Sequence, residues 1–261
     1  MTNKDSIIEY YNNVYDEDNR LGDNCDNRHK VEREVKKRVL KTLFKAGYRV
    51  ADIGAGTGLY TIFMVENGCI VDACDVVEKH TEIIKNKLKI KGLTANVGVE
   101  DAKELSYESN KYDLVLLAGP IYHEHDFDSK VKMINESYRI CKSGGYIVVD
   151  YLSDIHGFIQ HICIDKTMIS RATHDDMMLC DSKDKVFSYD NKQSMIKYFN
   201  NRSLKSIEFI GTDGITRFIQ GTINDMTNEE IEKYIDFVYL HCGDADTVGL
   251  SEHCLCIVRK A

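Results

Sequence analysis

The stretch VADIGAGTG, Val50 to Gly58, decides the fold. Apolar residues run straight into three glycines, and a helix-type stretch, LYTIFMVENG, follows and closes at Gly68. That order reads as strand, tight turn, helix. Glycines at Gly54, Gly56 and Gly58 mark a turn where side chains would block either a ligand or the packing of helix on strand. A dinucleotide fingerprint requires G-x-G-x-x-G; here the spacing is G-x-G-x-G and the sixth position is Leu59. The loop therefore fits the other Rossmann-like class, although glycine turns after strands serve several cofactors and some serve none.

Working outward, the alternation repeats. CIVDACDV, TANVGV, YDLVLLAG and YIVVDYL read as strands, and EKHTEIIKNKLKIKG and SKVKMINESYRICKSGG as helices between them. Such alternation implies a parallel, doubly wound sheet. Upstream, Ser6 to Arg20 and Asn27 to Lys45 read as helices, the second capped at Gly47. Downstream, the regularity stops after Tyr151, and Ser153 to Ser188 reads as an insertion or lid, with an amphipathic piece and then a polar, Met-rich stretch. Asn191 to Asn200 suggests a helix, LKSIEFIG a strand, Thr227 to His241 a helix opened by a capping box with Glu230, and HCLCIVRK a last strand. The expected organisation is a helical cap over 1–46, a cofactor-binding core over 47–151, an insertion over 152–190 and a completion of the sheet over 191–261.

Three acids stand at or just beyond the ends of the first three strands: Asp52, Asp75 and Asp101, the last following Glu100. Strand carboxyl ends in an open α/β sheet face one crevice, so this spacing places the three around one ligand. With VADIGAGTG, Asp75, the Glu100-Asp101-Ala102 run and YDLVLLAGPIYH, residues from Tyr48 to Tyr151 resemble the class I S-adenosylmethionine methyltransferases. The resemblance implies a Rossmann-like α/β fold with a seven-stranded, mostly parallel sheet, an antiparallel last strand, N-terminal helices and a lid between strands five and six. It implies S-adenosyl-L-methionine as cofactor. Asp75, with Val76 beside it, falls where that family holds the ribose hydroxyls, a task suited to a carboxylate. Asp101-Ala102 falls where it holds the adenine, with Glu100 as the competing assignment. Gly54, Ala55, Gly56 and Gly58 form the loop. Asp52 either braces that loop or meets the methionine amino group.

After strand four the chain reads Ala118, Gly119, Pro120, Ile121, Tyr122, His123, Glu124, His125. In this fold the run lies beside the sulfonium and faces the acceptor. It distantly resembles the Asn/Asp-Pro-Pro-aromatic motif of enzymes that methylate exocyclic amines, but Gly119 lacks the carbonyl or carboxylate that holds such an amine. The nearer resemblance is to bacterial small-molecule methyltransferases with a G-P-L/I-Y-H segment here. In-line displacement works by holding donor and acceptor together, with a base needed only for a protonated acceptor. His123 is the expected base, with His125 and Glu124 as alternatives, and Tyr122 is expected to line the methyl site. Tyr11, with Tyr10 and Tyr15, either closes over the cofactor or packs its helix.

The chain has 261 residues, 43% of them hydrophobic, enough for one sizeable core with an elaboration. The net charge of -8 argues against a phosphate-neutralising face, so a small-molecule partner is expected, with no nucleic acid and no membrane. Nine cysteines without C-x-x-C spacing and an N-terminus unlike a signal peptide point to a cytoplasmic location. Neither H-E-H at His123 to His125 nor His253-Cys254 with Cys256 has zinc spacing, so no metal is expected. Action on RNA or protein, or cofactor binding without catalysis, stand as alternatives. Leu59 weighs against a dehydrogenase.

Overall fold

A computed structural model describes residues 3–15, 20–22, 24–171 and 186–261. Its frame is one seven-stranded sheet in the order β3-β2-β1-β4-β5-β7-β6. The strands are β1 (Arg49–Ile53), β2 (Ile70–Asp75), β3 (Asn96–Val99), β4 (Tyr112–Leu117), β5 (Cys141–Leu152), β6 (Leu204–Gly211) and β7 (His253–Lys260). The first five pair in parallel, and β7 runs antiparallel to β5 and β6. Helices α1 (Asn3–Asn13), α2 (Asn27–Lys41), α3 (Leu59–Glu66), α4 (Glu78–Lys91), α5 (Phe127–Ile140), α6 (Asp154–Ile164), α7 (Met168–Arg171), α8 (Lys192–Tyr198), α9 (Gln220–Asn224), α10 (Asn228–His241) and α11 (Ala245–Val248) surround it. Among the described residues no helix is long and apolar enough to cross a membrane.

Successive strand residues point to opposite faces, which divides the core in two. Val50, Leu114, Leu116 and Val148 meet Val31, Val35, Val39 and Leu40 of α2 and Ile231 and Ile235 of α10. Ala51, Ile53, Val115, Leu117 and Val149 meet Met133 and Ile134 of α5 and Met195 of α8. Both faces are covered, so these strands read as continuous apolar runs rather than alternating ones. Each fully buried aliphatic side chain contributes about 1.5–3 kcal/mol.

The expected fold class holds, with shifts at element ends. Helix α1 covers Asn3–Asn13 rather than Ser6 to Arg20, and residues 16–19 lie outside the described residues. Helix α2 stops at Lys41 because the Thr42 hydroxyl donates to the Val39 carbonyl at 2.7 Å. Gly47 lies beyond that end, and its N–H donates to the Gly68 carbonyl at 2.8 Å, tying the entrances to β1 and β2. Strand β5 begins at Cys141, before the glycine pair, with a register shift against β4 between Tyr112 and Leu114. The expected capping box forms: Thr227 accepts from the Glu230 N–H, and the Glu230 carboxylate accepts from the Thr227 N–H at 2.8 Å.

The ends of the insertion are drawn together. Ser153 caps α6 and bridges to Asp190, whose N–H donates to the Leu152 carbonyl at 2.8 Å. Asp190 is also held by Lys130 of α5 at 2.7 Å and by the Tyr198 hydroxyl at 2.7 Å. Most of the Met-rich stretch, residues 172–185, lies outside the described residues.

Candidate active site

The glycine loop is shaped by what it must avoid. Gly54 has φ +74°, and a Cβ there would meet the Ala118 carbonyl oxygen and Pro120 Cγ, each at 2.6 Å. Its lack of a side chain lets the end of β1 lie against the turn after β4. Gly58 has φ +87°, and a Cβ there would stand 2.8 Å from Ile84 Cγ1, so this glycine admits close packing of α4 against the start of α3.

Asp75 at the end of β2 binds the loop in place. Its Oδ2 accepts from the Gly56 N–H and its Oδ1 from the Val77 N–H, both at 2.8 Å. His80 Nδ1 approaches Oδ1 within 3.3 Å. A carboxylate has about four lone-pair sites, so roughly two remain. Asp52 is buried at the end of β1, where its Oδ2 accepts from the Thr61 hydroxyl at 2.6 Å. Among the described residues its Oδ1 has no hydrogen-bond partner, and burial pushes its pKa up to about 7. Asp101 Oδ1 accepts from the Lys103 N–H at 3.0 Å, and Lys4 Nζ stands 3.5 Å from Oδ2. Glu100, the competing acid, has one oxygen on the Ser106 N–H and the other on the Ser106 hydroxyl.

These residues line one cavity of about 590 Å³, within the range of small-molecule sites. Asp52, Gly54, Ala55, Gly56, Asp75 and Val76 form its β1 and β2 wall. Asp101, Ala102, Ala118 and Gly119 continue it, and Tyr11, Tyr122 and His123 stand across from them. Of the expected loop residues, Gly58 does not line it, consistent with its contact to Ile84.

Of the alternatives to His123, His125 is exposed and is not among the lining residues. Glu124 lines the cavity, but its carboxylate meets Lys103 at 3.1 Å and accepts from the N–H groups of His125 and Asp126. His123 closes the 3-10 turn Pro120–His123. Its Nδ1 lies 2.9 Å from the Val186 carbonyl, which can only accept, so Nδ1 carries the proton. Nε2 then accepts from the Tyr11 hydroxyl at 2.9 Å. Burial lowers the pKa of His123 to about 4, so the ring is neutral at pH 7.

That shift predicts a pH dependence of stability. Between pH 6.5 and 4 the unfolded chain binds a proton at His123 that the folded chain does not, so folding weakens as pH falls through this window. Other buried histidines titrate too, so the comparison is with a variant. In urea unfolding, moving from pH 7 to pH 4.5 should cost wild type about 2–3 kcal/mol more than His123→Gln. Equal losses would show that His123 ionises alike in both states.

Several lining residues escaped the sequence reading: Arg20, Lys36, Tyr60, His80 and Asp150. Lys36 looks like any solvated lysine on an amphipathic helix. The acid inside the apolar run YIVVDYL was the available signal for Asp150.

Comparison with known proteins follows the same lines. Residues 50–145 match a family described as a methyltransferase domain. The demethylmenaquinone methyltransferase of Bacteroides fragilis is 27% identical over 106 residues, which are 39% of this chain and 42% of the relative. The ubiquinone biosynthesis O-methyltransferase of Coxiella burnetii is 26% identical over 99 residues, 38% of this chain and 41% of the relative. The chain thus spans about two fifths of the length of these curated relatives. In fold, a protein of Pyrococcus horikoshii superposes with a TM-score of 0.61 at 14% identity, over 97% of this chain and 99% of the other. A methyltransferase structure from Archaeoglobus fulgidus gives 0.59 at 16% identity, over 89% and 94%. The glycine loop, the sheet order and the matched segment agree: residues 50–145 carry a methyltransferase domain of the class I, S-adenosylmethionine-dependent type.

Proposed function

We propose that the protein transfers a methyl group from S-adenosylmethionine to a small-molecule acceptor. The observation that carries this reading is the convergence of Asp52, Asp75 and Asp101, from the ends of β1 and β2 and just beyond β3, on one cavity with the glycine loop. The residues suit the donor: the remaining lone pairs of Asp75 fit a ribose diol, Asp101 with Ala102 fits the adenine edge, and the orphaned Asp52 Oδ1 fits an ammonium. Bound there, S-adenosylmethionine supplies an electrophilic methyl on a sulfonium.

The chain's own part is to hold, shield and manage protons. Tyr11, His80, Tyr122 and His123 present ring faces and edges to the cavity, with Tyr11 5.1 Å from His80 and 5.4 Å from His123 between ring centres. Such rings exclude water and tolerate a cation. Because His123 Nε2 already accepts from Tyr11, base work by His123 runs through the Tyr11 hydroxyl: the acceptor's proton passes to Tyr11 Oη as Tyr11's own proton passes to Nε2. The cavity volume of about 590 Å³ and the acidic total favour a small acceptor over RNA. The named activities of the quinone-pathway relatives add weight to small molecules as a class.

Calorimetric titration with S-adenosylmethionine, followed by a screen for release of its demethylated product with phenols, amines and thiols, tests the proposal. Micromolar binding and turnover with a member of the panel are expected; absence of binding to donor and product ends it. The same titration reads Asp52. With its pKa near 7, Asp52 is about half protonated at pH 7, and pairing with an ammonium requires the carboxylate. Binding should therefore release about half a proton at pH 7 and more at pH 6, seen as a buffer-dependent heat. Asp52→Asn should abolish that dependence.

A further inference from the structure

One arm of the cavity is walled by ionisable groups that, Tyr60 apart, lie outside the matched residues 50–145. On α2, Glu32 and Lys36 stand one turn apart, each about 2% exposed or less. Lys36 Nζ donates to Asp150 Oδ2 of β5 at 2.6 Å and to Glu32 Oε1 at 3.2 Å. Arg20 spans both Glu32 oxygens at 2.8 Å and meets His253 Nε2 at 2.9 Å. The Tyr60 ring lies beneath the Lys36 ammonium, 5.5 Å from its centre. Burial alone would raise the Glu32 carboxyl, but Arg20, His253 and Lys36 hold it well below the usual range.

Burying four charges costs several kcal/mol per ion before pairing, and the large majority of buried polar atoms are hydrogen-bonded. Here the match is incomplete. Among the described residues Asp150 Oδ1 and Tyr60 Oη have no hydrogen-bond partner, although Asp150 is 2% and Tyr60 7% exposed. Only two of the three donors of Lys36 are used among the described residues. Arg20, Lys36, Tyr60 and Asp150 all line the cavity. Two cations and two carboxylates sum to zero, so a bare anion or a bare cation would leave the box unbalanced. A group carrying both charges would complete it.

We propose that this box binds the α-amino-carboxylate end of a ligand, its carboxylate on the Lys36 ammonium and its ammonium between Asp150 and Tyr60. The box is separate from the Asp52 station. Asp52 lies level with Leu116 and Leu116 with Val148, so Asp150 is two strands away and two residues farther along. At about 4.8 Å per strand and about 3.3 Å per residue the backbone separation is about 12 Å, too far for one ammonium to serve both. The donor's ammonium is already placed on Asp52, so the group belongs to the acceptor, an amino acid or a molecule that ends in one. The proposal rests on the methyl-transfer reading for that identity, and on the wall itself for the chemistry.

The test uses the full chain, with Tyr60→Phe, which leaves every ion pair in place, and the double variant Lys36→Met with Asp150→Asn, which removes a charge pair together. Circular dichroism checks their folding. Each protein is titrated with S-adenosylhomocysteine, with 5′-methylthioadenosine, which lacks the amino-acid end, and with individual L-amino acids added to the S-adenosylhomocysteine complex. A loss of at least about tenfold for S-adenosylhomocysteine with 5′-methylthioadenosine unchanged assigns the box to the donor's methionine end and overturns the proposal. Unchanged S-adenosylhomocysteine with lost amino-acid binding assigns it to the acceptor. Wild-type behaviour of Tyr60→Phe towards all three kinds of probe overturns the proposal. If wild type binds neither adenosyl compound, the methyl-transfer reading fails, and amino-acid binding to the unliganded chain alone decides the box.

Discussion

Replacing Asp75 with alanine is expected to weaken S-adenosylmethionine binding by about 100-fold or more, the largest effect of any single side chain at the site. The carboxylate has two tasks. It holds the Gly56 and Val77 amides at 2.8 Å, fixing the loop between β1 and α3 against the end of β2, and its remaining lone pairs face the cavity. Hydrogen bonds to a charged group contribute about 1.5–3 kcal/mol each, so losing a diol contact and the loop brace together removes about 3 kcal/mol or more, which is about two orders of magnitude in Kd. Asp75→Asn should be nearly as damaging, because its amide nitrogen would face a backbone N–H in place of an acceptor. Calorimetry decides the matter: a Kd within about threefold of wild type for Asp75→Ala would falsify the placement of the donor against β2.

Gly54→Ala is expected to destabilise the fold by about 2–5 kcal/mol. The left-handed φ of +74° costs a residue with a Cβ about 1–2 kcal/mol. The added methyl would press on the Ala118 carbonyl and the Pro120 ring, which belong to the backbone turn carrying Tyr122 and His123. Overpacking against such rigid atoms typically adds about 1–3 kcal/mol. Urea unfolding measures the total. The turn cannot yield without moving His123, so the Tyr11 to His123 hydrogen bond should also be disturbed, visible as a shift in the imidazole nitrogen resonances. A variant with wild-type stability would mean that the two strand ends do not approach as closely as described. Gly58→Ala, whose Cβ meets the Ile84 side chain and no backbone atom, should cost less.

Legibility of the fold followed the range of the interactions involved. The β1 to α3 turn could be read because its glycines answer local demands, a left-handed φ and a close approach, that few other residues meet. The strand-helix alternation could be read because period and turn chemistry are properties of adjacent residues. Ends were less legible. Lys45 lies within four residues of the observed end of α2, yet nothing in the apolar spacing announces that the Thr42 hydroxyl turns back to Val39. The early start of β5 at Cys141 depends on pairing with Tyr112, a partner on another strand.

For the candidate site, the sequence by itself determined which residues stand at the strand ends, because chain order in a parallel sheet brings every carboxyl end to one edge. It put Asp52, Asp75 and Asp101 beside the glycine loop, and the turn with His123 opposite. Only the tertiary structure decided what those groups do there. Tyr11 and His123 are 112 positions apart, and Lys36 and Asp150 are 114 apart, so no local pattern links either pair. The proton on His123 Nδ1 is fixed by the Val186 carbonyl, at the returning end of the insertion. Lys36 sits one position beyond the apolar stripe Val31, Val35 and Val39, where a helical wheel cannot tell a buried ammonium from a solvated one. Its burial is set by the carboxylate that the sheet brings to it, and that is a property of the assembled chain.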